Sequence, residues 1–514
     1  MRHLTVVAAL AGVVAAAAGM RAQAPIDAAF ARFFDAKNQA EAAAEADRIV
    51  QAAPAFDDAF RRLRRGRSYA HQVARGVVRG THELNGRIFP YSIEVPDTYD
   101  ASRRYQVRIH LHGGVGRPLN LIRGSGSIAS LAGAEQIYVL PTSWDQAPWW
   151  DEKQIENLRL ILDAVKRTYN VDENRVVVSG VSDGGTGAYY LAMRDTTPYA
   201  SFLPLNGFIM VLANASLRLR EQLFPNNLRN KPLFVVNGGR DQLYPTRLVD
   251  PSVRHLQQGG VELTYLPQPE AGHNTAWWPE MKDPFERFVR DHPRDPYPSV
   301  LTWEGEAGDR AHWLHIDRLA PRGADDLLPD LNEVAAGTSP NFGVRASGMQ
   351  ITGVMKESNA DRLGLQPGDV VEAINARAIP VGVSLLDLLE TLDPETRVTF
   401  KIRRGGEVVE KVGVYQPEVV QRVVALFSRS RPSGRVDLVR EGNTVRATTR
   451  GVAGFTLLLS PDVFDFSQPV IVIADGRTAF EGIVKTDLDV LMRWAAHDND
   501  RTMLFAAELP ISIR

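Results

Sequence analysis

The residue best placed for chemistry in this sequence is a serine between two glycines, in Gly180-Val-Ser182-Asp-Gly184. An apolar, β-branched run at 176–179 precedes it, and a stretch with a helical pattern follows from Ala188. A strand, a sharp turn and a helix in this order expose a serine hydroxyl at a strained position, where flanking glycines avoid a clash. The start of the helix favours developing negative charge. The sequence predicts Ser182 as a nucleophile. The alternative is a glycine-rich turn in which Ser182 only caps the helix.

A nucleophilic serine needs a base that takes its proton and an acid that orients the base. Asp241 follows the strand-like run 232–236, and His273 follows the strand-like run 261–266. Parallel strands end at one edge of a sheet, where open α/β sheets place their sites. Taken singly, Asp241 is also explained as a turn cap and His273 as a structural histidine. Together, in the order Ser182, Asp241, His273, they predict a catalytic triad.

The negatively charged oxygen of an acyl-transfer intermediate needs backbone N–H donors, which form an oxyanion hole. The sequence predicts the first donor at Asp183, directly after the nucleophile, and the second in the loop His112-Gly113-Gly114. Glycines in that loop let the backbone approach the substrate oxygen. His112 and the nearby His110 are interpreted as structural. The spacing of His, Asp and Glu residues resembles no ligand set, so the sequence predicts no metal site. The serine chemistry implies no organic cofactor either.

Strand and helix patterns alternate over 81–291, which predicts an α/β fold with a doubly wound, mostly parallel sheet. Two runs with a period of two residues, 81–84 and 87–95, flank Asn85-Gly86 and predict a hairpin at one edge. The alternation places the candidate serine, aspartate and histidine after successive strands of this sheet.

Residues 81–292 resemble the α/β-hydrolase superfamily, near the secreted esterases of the feruloyl, polyhydroxybutyrate-depolymerase and dienelactone-hydrolase-like types. The residues that carry the resemblance are His112-Gly-Gly114, Gly180-Val-Ser182-Asp-Gly184, Gly239-Arg-Asp241 and Gly272-His273-Asn274. The resemblance covers about two-fifths of the chain and implies Ser182 as nucleophile, Asp241 as acid and His273 as base. It leaves the substrate open, because the superfamily includes both esterases and prolyl-oligopeptidase-like peptidases.

A proline-rich stretch at 292–300 marks a boundary, beyond which the pattern becomes all-β. The catalytic domain is therefore predicted at 81–295. Matching strand character at 299–336 and 435–514 predicts one β-rich domain made of two segments. A linker is predicted near 416–434.

Residues 341–415 resemble a bacterial PDZ domain, inserted into the β-rich region. The resemblance is carried by Phe342-Gly343-Val344, Ile351-Thr-Gly-Val354, the run 360–371 and Ala373-Ile374-Asn375. It implies that N–H groups of the loop Phe342-Gly343-Val344 hold a peptide carboxylate, with Phe342 and Val344 lining the pocket. The peptide would add to the domain as a β-strand.

Five of the eight tryptophans lie beside the predicted active-site loops. One interpretation is an aromatic wall for an acyl, aromatic or sugar-linked substrate, and the other is core packing around the strand ends. The five residues are Trp144, Trp149, Trp150, Trp277 and Trp278.

Composition limits the remaining function classes. The 514 residues suffice for about three domains. A net charge of −2 gives no reason to expect a nucleic-acid partner. The absence of cysteine excludes disulfides and thiolate metal sites. Residues 1–24 have the short apolar stretch and small-residue site of a secretory signal, with an uncleaved anchor as the alternative. Residues 25–80 are predicted as a helical segment that packs or forms a lid.

The sequence therefore predicts a secreted or periplasmic serine hydrolase that cleaves carboxylic esters through an acyl-enzyme. One alternative is a peptidase of the same fold that uses the PDZ domain to bind peptides. A second is a non-catalytic PDZ scaffold. The expected partners are an ester or peptide substrate and a C-terminal peptide. No nucleic acid, and no integral membrane segment beyond the signal, is expected.

Overall fold

The computed structural model describes residues 25–122, 128–217, 219–321, 329–380, 382–393, 395–416 and 418–513. These residues form two compact units. The first contains the described residues of Met1–Asn332 and Phe427–Arg514, and the second is Glu333–Leu426. The predicted secretory signal, 1–24, lies outside the described residues.

Three helices open the described chain: α1 (25–35), α2 (Gln39–Ala52) and α3 (Phe56–Arg65). The break before α2 is set by Asn38, whose side chain accepts the N–H of Glu41 at 2.9 Å and so caps the helix. Buried aromatic and aliphatic residues of these helices pack against the late helix Leu488–Asp498, which is close to the other end of the chain. The predicted helical segment is thus a packing element of the first unit.

The main sheet begins with the predicted hairpin, which is confirmed. Strands β1 (Gly76–Leu84) and β2 (Arg87–Val95) pair antiparallel in register. Asn85 and Gly86 connect them with φ values of 51° and 74°. Two consecutive positive φ angles match the twist of a two-residue hairpin, and asparagine and glycine tolerate them best.

The rest of this sheet confirms the predicted α/β class. Eight strands run in the order β1-β2-β4-β3-β5-β6-β7-β8, and all pairs from β4 to β8 are parallel. The central strands are largely buried on both faces, as expected for a sheet covered by helices. The strands are β3 (Tyr105–Leu111), β4 (Ile137–Pro141), β5 (Val171–Val181), β6 (Ser201–Leu205), β7 (Leu233–Val235) and β8 (Leu263–Tyr265), and the helices are α4 (Glu152–Thr168), α5 (Asp183–Arg194), α6 (Thr246–Gln258) and α7 (Trp278–Asp291).

Two further sheets of the first unit combine strands from both sides of the PDZ-like segment. β9 pairs with β20, and β11 pairs with β22. The sheets have the orders β24-β23-β21-β20-β9 and β10-β11-β22-β25, and they enclose a core that contains Trp303, Trp313 and Phe455. Their strands are β9 (Val300–Gly305), β10 (Arg310–Ala311), β11 (Leu314–Leu319), β20 (Gly434–Glu441), β21 (Thr444–Arg450), β22 (Val452–Leu459), β23 (Val470–Ala474), β24 (Arg477–Gly482) and β25 (Ala507–Ser512).

Outside the PDZ-like segment, the expectation that the described chain beyond 300 is all-β is wrong at one element. Residues Leu488–Asp498 form helix α10. Asp487 caps its start, because its carboxylate accepts the N–H groups of Asp489 and Val490. The helix buries Leu491 and Met492 against the N-terminal helices. These packing partners lie more than 400 residues away in sequence. The apolar residues at 488, 491, 492 and 495 have helical spacing, but this signal covers only 11 residues and lies among strand patterns.

The second unit is a small β-domain with its own apolar core. Its main sheet has the order β13-β14-β15-β17-β18, and β12 pairs with β19 in a separate ribbon. The predicted linker near 416–434 therefore contains a strand, β19. The elements are β12 (Glu333–Asn341), β13 (Val344–Ser347), β14 (Gln350–Val354), α8 (Asn359–Arg362), β15 (Val370–Ile374), β16 (Arg377–Ala378), α9 (Leu385–Glu390), β17 (Arg397–Arg404), β18 (Glu407–Val414) and β19 (Glu418–Ala425).

Candidate active site

Ser182 stands in the turn between β5 and α5, with φ 56° and ψ −120°. This left-handed conformation is rare for a residue with a side chain, and it lifts the serine out of the line of the strand. The flanking glycines allow it. A Cβ added to Gly180 would overlap the carbonyl of Gly184, and one added to Gly184 would overlap the carbonyl of Leu111. The spacing of the glycines on either side of Ser182 thus has a steric cause.

Ser182, His273 and Asp241 form one chain of hydrogen bonds. His273 Nε2 lies 2.9 Å from Ser182 Oγ, and His273 Nδ1 lies 2.7 Å from Asp241 Oδ2. Because the carboxylate can only accept, Nδ1–H donates to it and Nε2 is left to accept the serine proton. The Asp241 side chain is fully buried and that of His273 is 26% exposed. The imidazole is therefore reachable while its partner is shielded from water.

The second oxygen of Asp241 is held by the backbone that follows it. Oδ1 accepts the N–H of Leu243 at 2.7 Å and the N–H of Tyr244 at 2.9 Å. The ring of Tyr244 meets the ring of His273 edge-on, with centroids 5.7 Å apart. These contacts fix both the carboxylate and the imidazole, which keeps the Nε2 lone pair directed at Ser182.

The loop His112-Gly113-Gly114, predicted to supply an oxyanion donor, lies against the serine. A Cβ added to Gly113 would stand 3.0 Å from Ser182 Cβ, so only glycine fits without a shift. Gly114 has φ 74°. Its N–H donates to Asp183 Oδ2 at 3.0 Å, and so does the N–H of Val115. Of the two predicted donors in this loop, Gly114 is thus already engaged by the protein, and Gly113 is the one packed on the serine.

His112 has a structural role in the same loop, in agreement with its interpretation from the sequence. Its Nδ1–H donates to the carbonyl of Gly113 at 2.9 Å, and its Nε2 accepts the N–H of Ser143 at 3.0 Å. Burial lowers the pKa of His112, so the ring stays neutral and can accept and donate at once. Trp149 Nε1–H donates to the carbonyl of His112 at 2.7 Å. The loop is therefore anchored by side chains before it reaches the glycines.

Asn206 is a positioning residue that the sequence did not reveal. It follows β6, has φ 47° and is fully buried. Its Nδ2–H donates to the carbonyl of Asn274 at 2.8 Å, directly beside His273. The available signal was the pair Asn206-Gly207 at the end of a buried strand, since both residue types tolerate positive φ.

The five tryptophans expected as a possible aromatic wall are interior residues. All are 9% exposed or less, and Trp149 is 1% exposed. Trp144 packs on Phe89, and Trp278 packs on Phe285. The structure thus favours core packing at the strand ends over direct contact with a substrate. The set comprises Trp144, Trp149, Trp150, Trp277 and Trp278.

Within the described ranges, no group of three or more His, Asp or Glu side chains is arranged to hold a metal ion. Over the same ranges, no helix combines the length and the apolar character that crossing a bilayer requires.

The PDZ-like loop differs in one respect from the sequence interpretation. Phe342 is 4% exposed and packs on Phe400 and Tyr415 inside the domain core. It therefore does not line a surface pocket, because its ring is needed to fill the core. Gly343 has φ 81°, and a Cβ there would overlap Ser358. Val344 opens β13 and is partly exposed. β13 is an edge strand of its sheet and contacts α9.

Two parts of the chain are similar to known proteins. The model of the PDZ domain family matches residues 350–404. The probable feruloyl esterase C of Aspergillus niger is 23% identical over 205 residues, which are 38% of this chain and 71% of that protein. A solved thermostable esterase is 19% identical with a TM-score of 0.35, covering 42% of this chain and 63% of the esterase. Esterase 2 of Thermogutta terrifontis is 15% identical with a TM-score of 0.34, covering 42% of this chain and 94% of that protein.

The sheet order, the feruloyl esterase relative and the PDZ family match confirm the resemblances stated from the sequence. The chain carries an α/β-hydrolase fold in its first unit, with a strand–serine–helix turn at the centre of the sheet. Its second unit contains a PDZ domain.

Proposed function

We propose that the protein is a serine esterase that cleaves carboxylic esters through an acyl-enzyme, with Ser182 as nucleophile, His273 as base and Asp241 as orienting acid. The ester hydrolase class rests on the feruloyl esterase relatives. The observation that carries the assignment of residues is the unbroken series of hydrogen bonds from Ser182 Oγ to the buried carboxylate of Asp241.

The first half-reaction forms the acyl-enzyme. Ser182 Oγ attacks the ester carbonyl while His273 Nε2 takes the hydroxyl proton, and the imidazolium is stabilised by Asp241. The C–O bond to the alcohol breaks as Nε2–H returns the proton to the leaving oxygen. In the second half-reaction, water takes the place of the alcohol. His273 Nε2 removes a proton from the water as its oxygen bonds to the acyl carbon. The acyl–serine bond then breaks as Nε2–H returns the proton to Ser182 Oγ, and the carboxylic acid leaves.

The oxyanion of both tetrahedral intermediates would be held by the N–H groups of Asp183 and Gly113. Asp183 begins α5, so its N–H lies at the positive end of a helix dipole. Gly113 is supported by its packing on Ser182. Gly114 is left out of this pair because its N–H donates to the Asp183 carboxylate.

An acyl group would meet an aromatic and aliphatic surface beside His273. Tyr244 is half-buried there, its ring lies 5.9 Å from that of Phe208, and Leu243 is 57% exposed. Such a surface suits an acyl group with an aromatic or apolar body. An aromatic acyl ester, such as a feruloyl ester, is therefore the first substrate class to test.

The activity test compares esters with peptide amides on the purified protein. The esterase proposal predicts turnover of feruloyl and short acyl esters, with kcat/KM for matched amides lower by orders of magnitude. Comparable turnover of amides would favour the peptidase alternative. No turnover of either class, together with no labelling by a fluorophosphonate probe, would favour a non-catalytic scaffold.

The PDZ domain is proposed to bind the C-terminus of a peptide between β13 and α9. The open edge of β13 offers backbone groups for strand addition, and the domain match supports this use. The loop at Gly343 would hold the peptide carboxylate.

The protein is further proposed to be secreted or periplasmic, because residues 1–24 have the sequence pattern of a cleaved signal.

A further inference from the structure

We propose that the carboxylate of Asp183 is a positioning group, which locks the loop that supplies the second oxyanion donor. This inference rests on the proposed function, because it assigns a role within the same ester-cleaving site. The side chain of Asp183 is distinct from its backbone N–H, which is the first proposed donor. One residue would thus supply one donor and place the other.

The geometry shows a carboxylate seated in two consecutive backbone N–H groups. Asp183 Oδ2 accepts from Gly114 and from Val115, each at 3.0 Å. The positive φ of Gly114, 74°, turns neighbouring N–H groups to the same side, which forms an anion-binding concavity. Such a pairing is charge-assisted and stronger than a bond between neutral groups.

The contact joins the two segments whose relative position must be kept during catalysis. Asp183 stands next to Ser182 at the start of α5, whereas Gly114 and Val115 follow β3. His112 and Trp149 hold the loop before Gly113, and the carboxylate holds it after Gly113. Gly113 is therefore fixed from both sides, at the point where its backbone packs against the serine.

The charge of Asp183 has an electrostatic consequence for the reaction. A carboxylate near the oxyanion disfavours negative charge there, unless its own charge is compensated. The N–H groups of Gly114 and Val115 supply that compensation. Asparagine keeps an acceptor at the same distance and removes the charge, so its weaker hydrogen bonds are offset by the loss of repulsion on the oxyanion.

The test compares Asp183→Asn, Asp183→Ala and Asp183→Glu in the full chain. Asp183→Ala should lower kcat by about 10²-fold, the effect of losing one oxyanion donor, with KM changed little. Asp183→Asn should stay within about threefold of wild type, because it keeps an acceptor at the same distance. Asp183→Glu should lower kcat at least about tenfold, because its carboxylate is too long to seat on both N–H groups without moving the loop.

A trifluoromethyl ketone, which forms a tetrahedral adduct with the serine, gives a second measurement. Its affinity for Asp183→Ala should fall by the same factor as kcat/KM, whereas the affinity for the carboxylic acid product should not. The matched control is Asp487→Ala, which removes a carboxylate from the N–H groups of Asp489 and Val490 at the start of α10. That change should lower stability and leave kcat unaltered.

Three outcomes would overturn the positioning role: unchanged kcat in folded Asp183→Ala, loss of activity in Asp183→Asn equal to that in Asp183→Ala, or undiminished affinity for the ketone. If Asp183→Ala does not fold, the contrast between Asp183→Asn and Asp183→Glu decides. Failure of the proposed function is distinguishable, because wild type would then neither turn over esters nor bind the ketone.

Discussion

Arg294 and Asp500 form a buried ion pair, with Arg294 Nη2 2.7 Å from Asp500 Oδ2 and side chains 0% and 2% exposed. Arg294 follows the last helix of the hydrolase sheet region, and Asp500 follows α10. The pair therefore ties the proline-rich boundary to the end of the chain. Arg501, the next residue, binds Glu173 of β5 at 2.7 Å.

Removing one partner of this pair should destabilise the whole first unit. We expect Arg294→Ala to lower the free energy of unfolding by roughly 3–5 kcal/mol, because it breaks a buried pair and leaves the Asp500 carboxylate with only the more distant Lys166, at 3.9 Å. Urea denaturation followed by circular dichroism measures the change. Arg290→Ala is the control, since its pair with Asp291 is exposed and should contribute little. Equal stability of the two variants would contradict this account of the boundary.

The same pair predicts a pH dependence of stability. Burial by itself raises the pKa of Asp500, but the charges of Arg294 and Lys166 outweigh it and hold that pKa below its usual range. A lowered carboxyl pKa contributes stability above the unfolded value of about 3.9, and this contribution is lost as the pH falls below it. The free energy of unfolding of wild type should thus exceed that of Asp500→Asn by a constant amount from about pH 5 to about pH 7. The difference should shrink at lower pH. A difference that grows on acidification would refute it.

Gly113→Ala tests the close approach of the oxyanion loop to the serine. The new Cβ would meet Ser182 Cβ at 3.0 Å and push the loop or the nucleophile out of place. We expect kcat/KM for a short acyl ester to fall at least about tenfold, because small misplacements at a reacting centre are costly. Gly116→Ala is the matched control, since nothing lies within 4 Å of its added Cβ. Equal losses of kcat/KM in both variants would contradict the proposed close approach of Gly113 to Ser182.

Asn206→Ala tests the support of the loop that carries His273. Loss of the hydrogen bond to the carbonyl of Asn274 should loosen the imidazole and reduce kcat about tenfold or more, with KM affected less. Asn214→Ala, in an exposed position after the same strand, should leave kcat unchanged. Steady-state kinetics on both variants provides the comparison. Wild-type kcat in Asn206→Ala would show that His273 needs no such support.

The PDZ proposal is tested by titrating C-terminal peptides and their amidated forms. Binding should require the free carboxylate. Gly343→Ala should abolish it, because its Cβ would overlap Ser358. Gly348→Ala is the control, with a similar positive φ of 59° and open space around the added atom. Equal binding of amidated peptides, or intact binding by Gly343→Ala, would contradict the carboxylate loop.

The sequence predicted the features that depend on local patterns. The glycines around Ser182 report the steric demand of one turn, and Asn85-Gly86 reports the φ angles of one hairpin. Contacts between distant segments could not be predicted from local sequence patterns. Asp183 stands directly after the serine, at a position where the Gly-x-Ser-x-Gly motif accepts any residue. The Gly114 N–H that its carboxylate accepts lies about 70 residues earlier in the sequence. Helix α10 was missed because its short helical pattern lies among strand patterns.

The tryptophans illustrate the same limit. Their positions in sequence, next to strand ends, leave both interpretations open, because burial is decided by what packs on each ring. Trp149 is covered because its indole fills the space above Gly187 and donates to His112. No single-sequence pattern distinguishes such a ring from one that faces a substrate.

The most direct test of the central proposal is labelling by a fluorophosphonate probe, followed by peptide mapping of wild type and Ser182→Ala. Ser182 is half-buried and its hydroxyl contacts His273, so its replacement should lower stability by about 1 kcal/mol or less. Ester turnover should fall by roughly 10⁴-fold or more, because nucleophile and base act as a unit. The account predicts one labelled serine, Ser182, in wild type and no label in the folded variant. A label on another serine, or wild-type turnover by Ser182→Ala, would contradict it.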